Sequence, residues 1–378
     1  QLLPPSNRES VEVGLKYANN EVCYPGIIVI GDVIKAFQNG TYDPEEAVVG
    51  LWETGGQCRA SCIFAACKRA LVAAGYENTP LITVSTNTNT MNEQPGFDLD
   101  FKRYIYFGAL GTIYADAINA MLYPIAAREV HPGEAMALAQ EYLTRLKTGE
   151  LKLNRENIYA TIRQAVAAFN SLPIEDRDLP KVGILGEIYV KYNDFGNNGV
   201  SAWLMQQGIE VVMPPLLEFF SSWFVSVKEQ VAANLKKADL LWLLSGPLYR
   251  YLDGFLQDVD VALQGFRYYH PAHSIHDVAG YAREIISLNH QYGEAWMIAG
   301  GVGSLVHQGV ENVLCLQPFG CIANHIVAKG VQKRMKERYP ELNILFLDTD
   351  AGGSEVNFFN RMHFFVNHAK ASFFEESR

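Results

Sequence analysis

Short apolar runs closed by Gly, Pro or Asp, most of them followed by a segment with helical spacing, recur along this 378-residue chain. "AVVGLWET", "PLITVST", "KVGILGEIY", "IEVVMP", "NVLCLQ" and "NILFLDTD" have the length and β-branched content of buried strands. "DLLWLLSG" fits the same pattern, but an apolar run of that length suits a buried helix equally well. In "CYPGIIVIGDVIKAFQNG" a helix is expected instead of a strand. Pro25 suits a first turn, and Ile27, Ile30, Ile34 and Phe37 share one face. Cys58 through Ala74 reads as a helix entered from the turn "GGQ" and ended by Gly75. Helical spacing also covers residues 103–147 and 155–170, and "NNGVSAWLMQQG", which opens on Asn and closes on Gly208. "NHIVAKGVQKRMKERYP" reads as a crossover helix between the last two strands.

Alternation of this kind predicts an α/β protein whose parallel sheets are covered on both faces. The chain exceeds one ordinary core, and the charged, Pro-bounded "LPIEDRDLP" marks a boundary. The expected domains are residues 1–178, with a helical extension, and residues 179–378. No repeat or low-complexity tract interrupts them.

Composition narrows the function classes. Formal net charge is −10, from 31 basic and 41 acidic residues with no basic block. Nucleic-acid binding, which needs a cationic face to displace counterions, is not expected. No apolar run of about 18 residues is read in the sequence, so no helix is expected to span a membrane. The opening "QLLPPSNRES" has neither an initiator Met nor a signal-peptide pattern. We expect an excised segment of a longer polypeptide and a cytoplasmic location. Six cysteines in such a chain are core residues, nucleophiles or metal ligands, not a disulfide framework.

Their placement is uneven: Cys23, then Cys58, Cys62 and Cys67, then Cys315 and Cys321. Cys58 follows a predicted strand at a helix start, where the helix dipole and Arg59 favour thiolate charge. Cys315 and Cys321 flank the Pro-Phe-Gly turn in the equivalent position of the second half, and Cys23 precedes Pro25. Four cysteines at turns and helix starts are hard to explain by packing alone. A four-iron cluster needs four such soft donors. No Cys-x-x-Cys signature is present, so spacing alone leaves a cluster and buried core thiols both open.

"CYPGIIVIG", "TGGQCRAS", "GEIYVKYN", "LQPFGCIANHIVAKG" and "DTDAGGSEVNFFNR" together resemble the 2-hydroxyacyl-CoA dehydratase family. The similarity is closest to the dehydratase-like C-terminal region of large, activase-like fused proteins, and runs from about residue 21 to 366. It implies two Rossmann- or flavodoxin-like α/β domains with an iron–sulfur cluster in the cleft between them. It also implies a low-potential electron delivered by an ATP-hydrolysing activator, fused upstream or separate. In true dehydratases that electron reaches an acyl-CoA thioester and allows elimination through a ketyl radical. The motif thiols carried over as ligands are Cys23, Cys58, Cys315 and Cys321, most simply of a [4Fe-4S] cluster. Catalytic residues are not implied, and the chain is either itself a lyase or a reductase component in anaerobic electron transfer. Cys62 and Cys67 depart from the pattern. With them the chain reaches the six thiolates of a double-cubane cluster, although Cys67 deep in its helix reads as a core residue. A metal-free, two-lobed binding protein is the alternative from another class.

Other motifs carry less. "GGVGS" (300–304) and "GALGT" (108–112) do not follow strands in the dinucleotide-binding manner. His270, His273 and His276 have spacing that would suit zinc, but capping or solvation explains them as well. Glu187 ends a strand, where it would meet a ligand, meet Lys191 or cap a helix. His325 would donate to a cluster sulfur. "DAGGSEVN" reads as a structural turn, since Asp348, Asp350 and Glu355 would repel phosphate.

Overall fold

The computed structural model describes residues 2–376 except 20–21, 54–57, 86–92, 95 and 98–99. The expected "GGQ" turn lies outside the described residues. The chain begins with α1 (Arg8–Tyr17) and α2 (Tyr24–Gln38), and Pro25 stands in the first turn of α2 as expected. β1 (Val49–Glu53) pairs in parallel with β2 (Leu81–Ser85) across α3 (Ile63–Ala74). A 3-10 turn, Arg59–Cys62, leads into α3, and Gly75 ends it in the left-handed conformation.

Three helices follow: α4 (Phe101–Ala126), α5 (Glu134–Lys147) and α6 (Arg155–Ser171). The second α/β part contains β3 (Lys181–Gly186), α7 (Ile188–Tyr192), α8 (Val200–Gln206) and β4 (Glu210–Val212). It continues with α9 (Leu216–Ala232), α10 (Leu240–Leu263), α11 (Ile275–Arg283) and α12 (Ala295–His307). β5 (Asn312–Pro318), α13 (Gln332–Arg338), β6 (Asn343–Thr349) and α14 (Glu355–Glu376) complete the chain.

Four parallel strands form the larger sheet in the order β4-β3-β5-β6. Side chains alternate across β5: Val313 and Cys315 join one core with α11 and α12, while Leu314 and Leu316 join another with α8 and α14. The glycines of "GGVGS" lie inside α12, where Gly300 abuts the Val278 carbonyl and Gly301 the Leu185 side chain. They serve close helix packing. A third core is helical. It combines α4, α5 and α6 with Leu217 of α9 and with Phe255, Val259 and Leu263 of α10, so it draws on both sides of residue 178. α2 joins the two sheets, because Ile28 packs with the larger and Ile30 and Ile34 with the smaller.

Three expectations change. "DLLWLLSG" is helical, opening α10 with Asp239 accepting from the Trp242 N–H, and Leu240, Leu241 and Leu243 are exposed. The crossover after β5 is not one helix. Ala323–Ala328 winds as a π-helical turn and Lys329–Val331 as a 3-10 turn before α13 begins. α4, over Lys102–Ala126, is long and apolar enough by length and composition to cross a membrane, contrary to the sequence reading. Its Ile113, Tyr114, Ile118 and Met121 are core residues of the helical body.

Candidate functional site

The two parallel sheets bring thiols from both ends of the chain to one place. At the end of β3, Gly186 has φ +122°, and a Cβ there would fall 2.1 Å from the Leu316 carbonyl oxygen. Only glycine fits this crossing. The next residue, Glu187, donates its own N–H to that carbonyl and caps α7, its carboxylate accepting from the N–H groups of Tyr189 and Val190 at 3.1 and 2.8 Å. Of the alternatives for Glu187, capping is observed.

The Pro318–Gly320 turn after β5 receives the start of α2, where the Tyr24 N–H donates to the Phe319 carbonyl at 3.1 Å. Gly320, at φ +80°, faces the cysteine that precedes Tyr24. A Cβ on it would lie 3.2 Å from Cys23 Cα and 3.4 Å from Arg59 Nη1. Cys58 approaches from the other side: a Cβ on Gly293 would be 3.8 Å from Cys58 Sγ and 3.7 Å from the Ala323 Cβ. Cys58 and Cys62 are both near enough to Cys23 to act on its ionisation. Cys23, Cys58 and the Cys321–Ala323 turn therefore meet, and glycines keep the space beside the thiols clear of side chains.

Cys315 stands one layer back. Its thiol donates to Asn324 Oδ1 at 3.4 Å, while Asn324 Nδ2 donates to Cys321 Sγ at 3.1 Å, so one buried amide links the two thiols. Cys62 is exposed and its thiol donates to the Arg59 carbonyl at 2.8 Å. Cys67 is fully buried in the core of α2, α3 and β2, and no other thiol acts on its ionisation. His325 Nδ1 lies 3.1 Å from Gln317 Nε2, and its Nε2 is buried without a partner.

Burial governs the electrostatics. It pushes Cys23 up to about 12, against the pull of the Gly26 N–H, and Glu187 adds to the rise. Cys315 and Cys321 are also raised by burial, with Glu294 adding its negative field to each. Glu187 is raised to about 8 by burial and by the adjacent carboxylate of Glu294, and burial raises Glu294 too. Cys23, Cys315 and Cys321 are therefore protonated at neutral pH. Any metal must displace those protons.

The donors are soft, as iron favours: Cys23 and Cys58 precede helix starts and Cys321 stands in a turn, but Cys315, expected beside a turn, lies fully buried inside β5. No three His, Cys, Asp or Glu side chains among the described residues stand close enough to hold a single metal ion. That arrangement does not weigh against a cluster, whose ligands each bind a different iron. His270, His273 and His276 have other partners: His273 Nδ1 lies 2.9 Å from Ser304 Oγ, and the His276 ring meets Tyr249 edge-on. Sequence reading missed Asn324, Gly293 and Glu294, because only the fold brings them beside the thiols. No protein-family model matches the chain, and no match was found among curated proteins.

Proposed function

We propose that this chain is an iron–sulfur protein of the 2-hydroxyacyl-CoA dehydratase type, accepting low-potential electrons from an ATP-hydrolysing activator. The observation that supports it most is the meeting of Cys23, Cys58 and the Cys321 turn, three segments far apart in sequence. Cys23, Cys58, Cys315 and Cys321 would hold a [4Fe-4S] cluster, which supplies one-electron chemistry when bound. In this reading the parts before and after residue 178 are the two Rossmann- or flavodoxin-like units, and the protein is cytoplasmic and works anaerobically. Asn324 orients two of the thiols, and burial, which raises Glu187 to about 8, keeps that carboxyl from adding negative charge around them at neutral pH. An acyl-CoA-like substrate is the class that the resemblance points to. The burial of Cys67, away from the other thiols, favours a single cubane over a double one.

A second reading, a metal-free two-lobed binding protein, is favoured by the raised thiols, which behave as inert core groups until deprotonated. Anaerobic reconstitution with iron and sulfide, followed by addition of an activator of that family and ATP, separates the two. The proposal expects visible absorbance that bleaches only when ATP is present. A protein that stays colourless, or colour indifferent to activator and ATP, contradicts it.

A further inference from the structure

The two halves of α10 meet different surroundings. The second half is anchored, since Phe255, Val259 and Leu263 belong to the helical core with α4, α5 and α6. The first half stands clear of that core. From Leu240 to Tyr251 only Ser245 is buried, while Leu240, Leu241, Leu244, Leu248 and Tyr251 are between 40% and 67% exposed. No Asp, Glu, Lys or Arg occurs from Leu240 through Tyr249, so this is not the polar face of a solvated helix. An apolar helix face of this kind is ordinarily covered.

Pattern, area and charge each bear on what covers it. Leu241, Leu244, Leu248 and Tyr251 follow one another at steps of three, four and three residues, the spacing with which one helix packs along another. The five open side chains expose roughly 500 Å², so two copies joined through them bury roughly 1,000 Å² before the polar rim is counted, the size from which an interface is specific. Lys237 stands before the row and Asp253 after it. Antiparallel pairing turns each Lys237 toward the Asp253 of the other copy, and Asp239, on the same end as Lys237, is already paired with Lys236 at 2.9 Å. A lipid surface fits less well, because the chain carries a net charge of −10 and no cation along the row to meet anionic headgroups.

We propose that this row is where two copies of the chain pair, antiparallel about a two-fold axis between Leu244 and Leu248. Each copy then offers the same patch to the other, Leu244 against Leu248 and Leu241 against Tyr251. The inference needs no cluster, since none of the motif thiols takes part.

The test is sedimentation equilibrium of the full chain without iron, from about 1 to 100 µM, in excess reductant so that no disulfide contributes. A reversible dimer that dissociates in the micromolar range is expected, as suits an interface near the lower size bound. Leu244→Glu and Leu248→Glu should each weaken it at least about tenfold, because each buries a carboxylate without a partner. Both side chains are open in the single chain, so these variants should keep the cooperative unfolding of the parent. Phe364→Glu, equally open but on α14, should pair like the parent. Lys237→Glu should weaken pairing about threefold, and adding Asp253→Lys should restore it. Should a leucine variant fail to fold, the mass of the parent and the Lys237 and Asp253 exchange still decide. A parent that stays monomeric at about 100 µM, whether or not it binds lipid vesicles, would overturn the proposal. Equal weakening by Phe364→Glu and Leu244→Glu, or a dimer indifferent to both leucine changes, would do the same.

Discussion

Two strand-to-helix connections deliver thiols to the site, and they are built differently. After β5, Cys321 sits in a buried turn fixed by Asn324, by the docking of Tyr24 on Phe319 and by a four-stranded sheet beneath. After β1, Cys58 is half-buried and Cys62 exposed, over a sheet with two strands among the described residues. Burial and backbone hydrogen bonds make the first a fixed template, whereas the second holds its thiols nearer to solvent. The comparison teaches that two connections can bring thiols to one place with one of them buried in a template and the other open to solvent.

The largest effects should come from removing a thiol on either side. Cys58→Ser and Cys321→Ser are each expected to abolish iron retention after anaerobic reconstitution, since a hydroxyl poorly replaces thiolate on iron. If Cys58→Ser retained full iron while Cys321→Ser lost it, the solvent-facing side would not belong to the site.

Backbone support comes next. Gly320→Ala places a Cβ in a left-handed position 3.2 Å from Cys23 Cα, so it should lower both stability and iron content. Alanine at Gly75, equally left-handed but with open space around it, should lower stability by about 1 kcal/mol and leave iron unchanged. Equal iron loss in both variants, measured with their denaturation midpoints, would remove the template side's special status.

The pH dependence is smaller and has a defined sign. Glu187 at about 8, Glu218 at about 7 and Asp116 at about 6 all lie above their ordinary values of 4.5, 4.5 and 3.8. The folded state therefore binds more protons than the unfolded chain between roughly pH 4 and 8, and stability falls as pH rises through that window. Iron-free protein should melt a few degrees lower at the upper end, and Glu187→Gln should flatten the trend. A melting temperature that rises across the same window would contradict the burial of these carboxylates.

Cys67→Ala should have the smallest effect, costing about 1 kcal/mol for a small core side chain and leaving iron unchanged. Loss of half the iron in that variant would favour the double-cubane alternative.

How far the sequence carried differs between these regions for physical reasons. β3, β5 and β6 were legible because strands buried on both faces are continuously apolar, and α2 and α3 because Pro25 and Gly75 mark a start and an end. The Leu240–Leu244 run has no periodicity to separate strand from helix, and only Asp239, capping Trp242, reveals which it is. The π-helical turn at Ala323–Ala328, with Asn324 fully buried in it, follows no local pattern that the sequence reading could use. Among the site residues, the cysteines were legible by type and turn context. Asn324, Gly293 and Glu294 were not grouped with them, because ordinary residues on distant segments become a set only after folding.

Iron and acid-labile sulfide, counted per chain after anaerobic reconstitution of the unaltered protein beside a Cys58→Ser, Cys321→Ser double variant, test the shared thiol site most directly. About four irons and matching sulfide in the parent, with almost none in the variant, is the predicted result. Fewer than about one iron in the parent, or equal iron in both proteins, would contradict it.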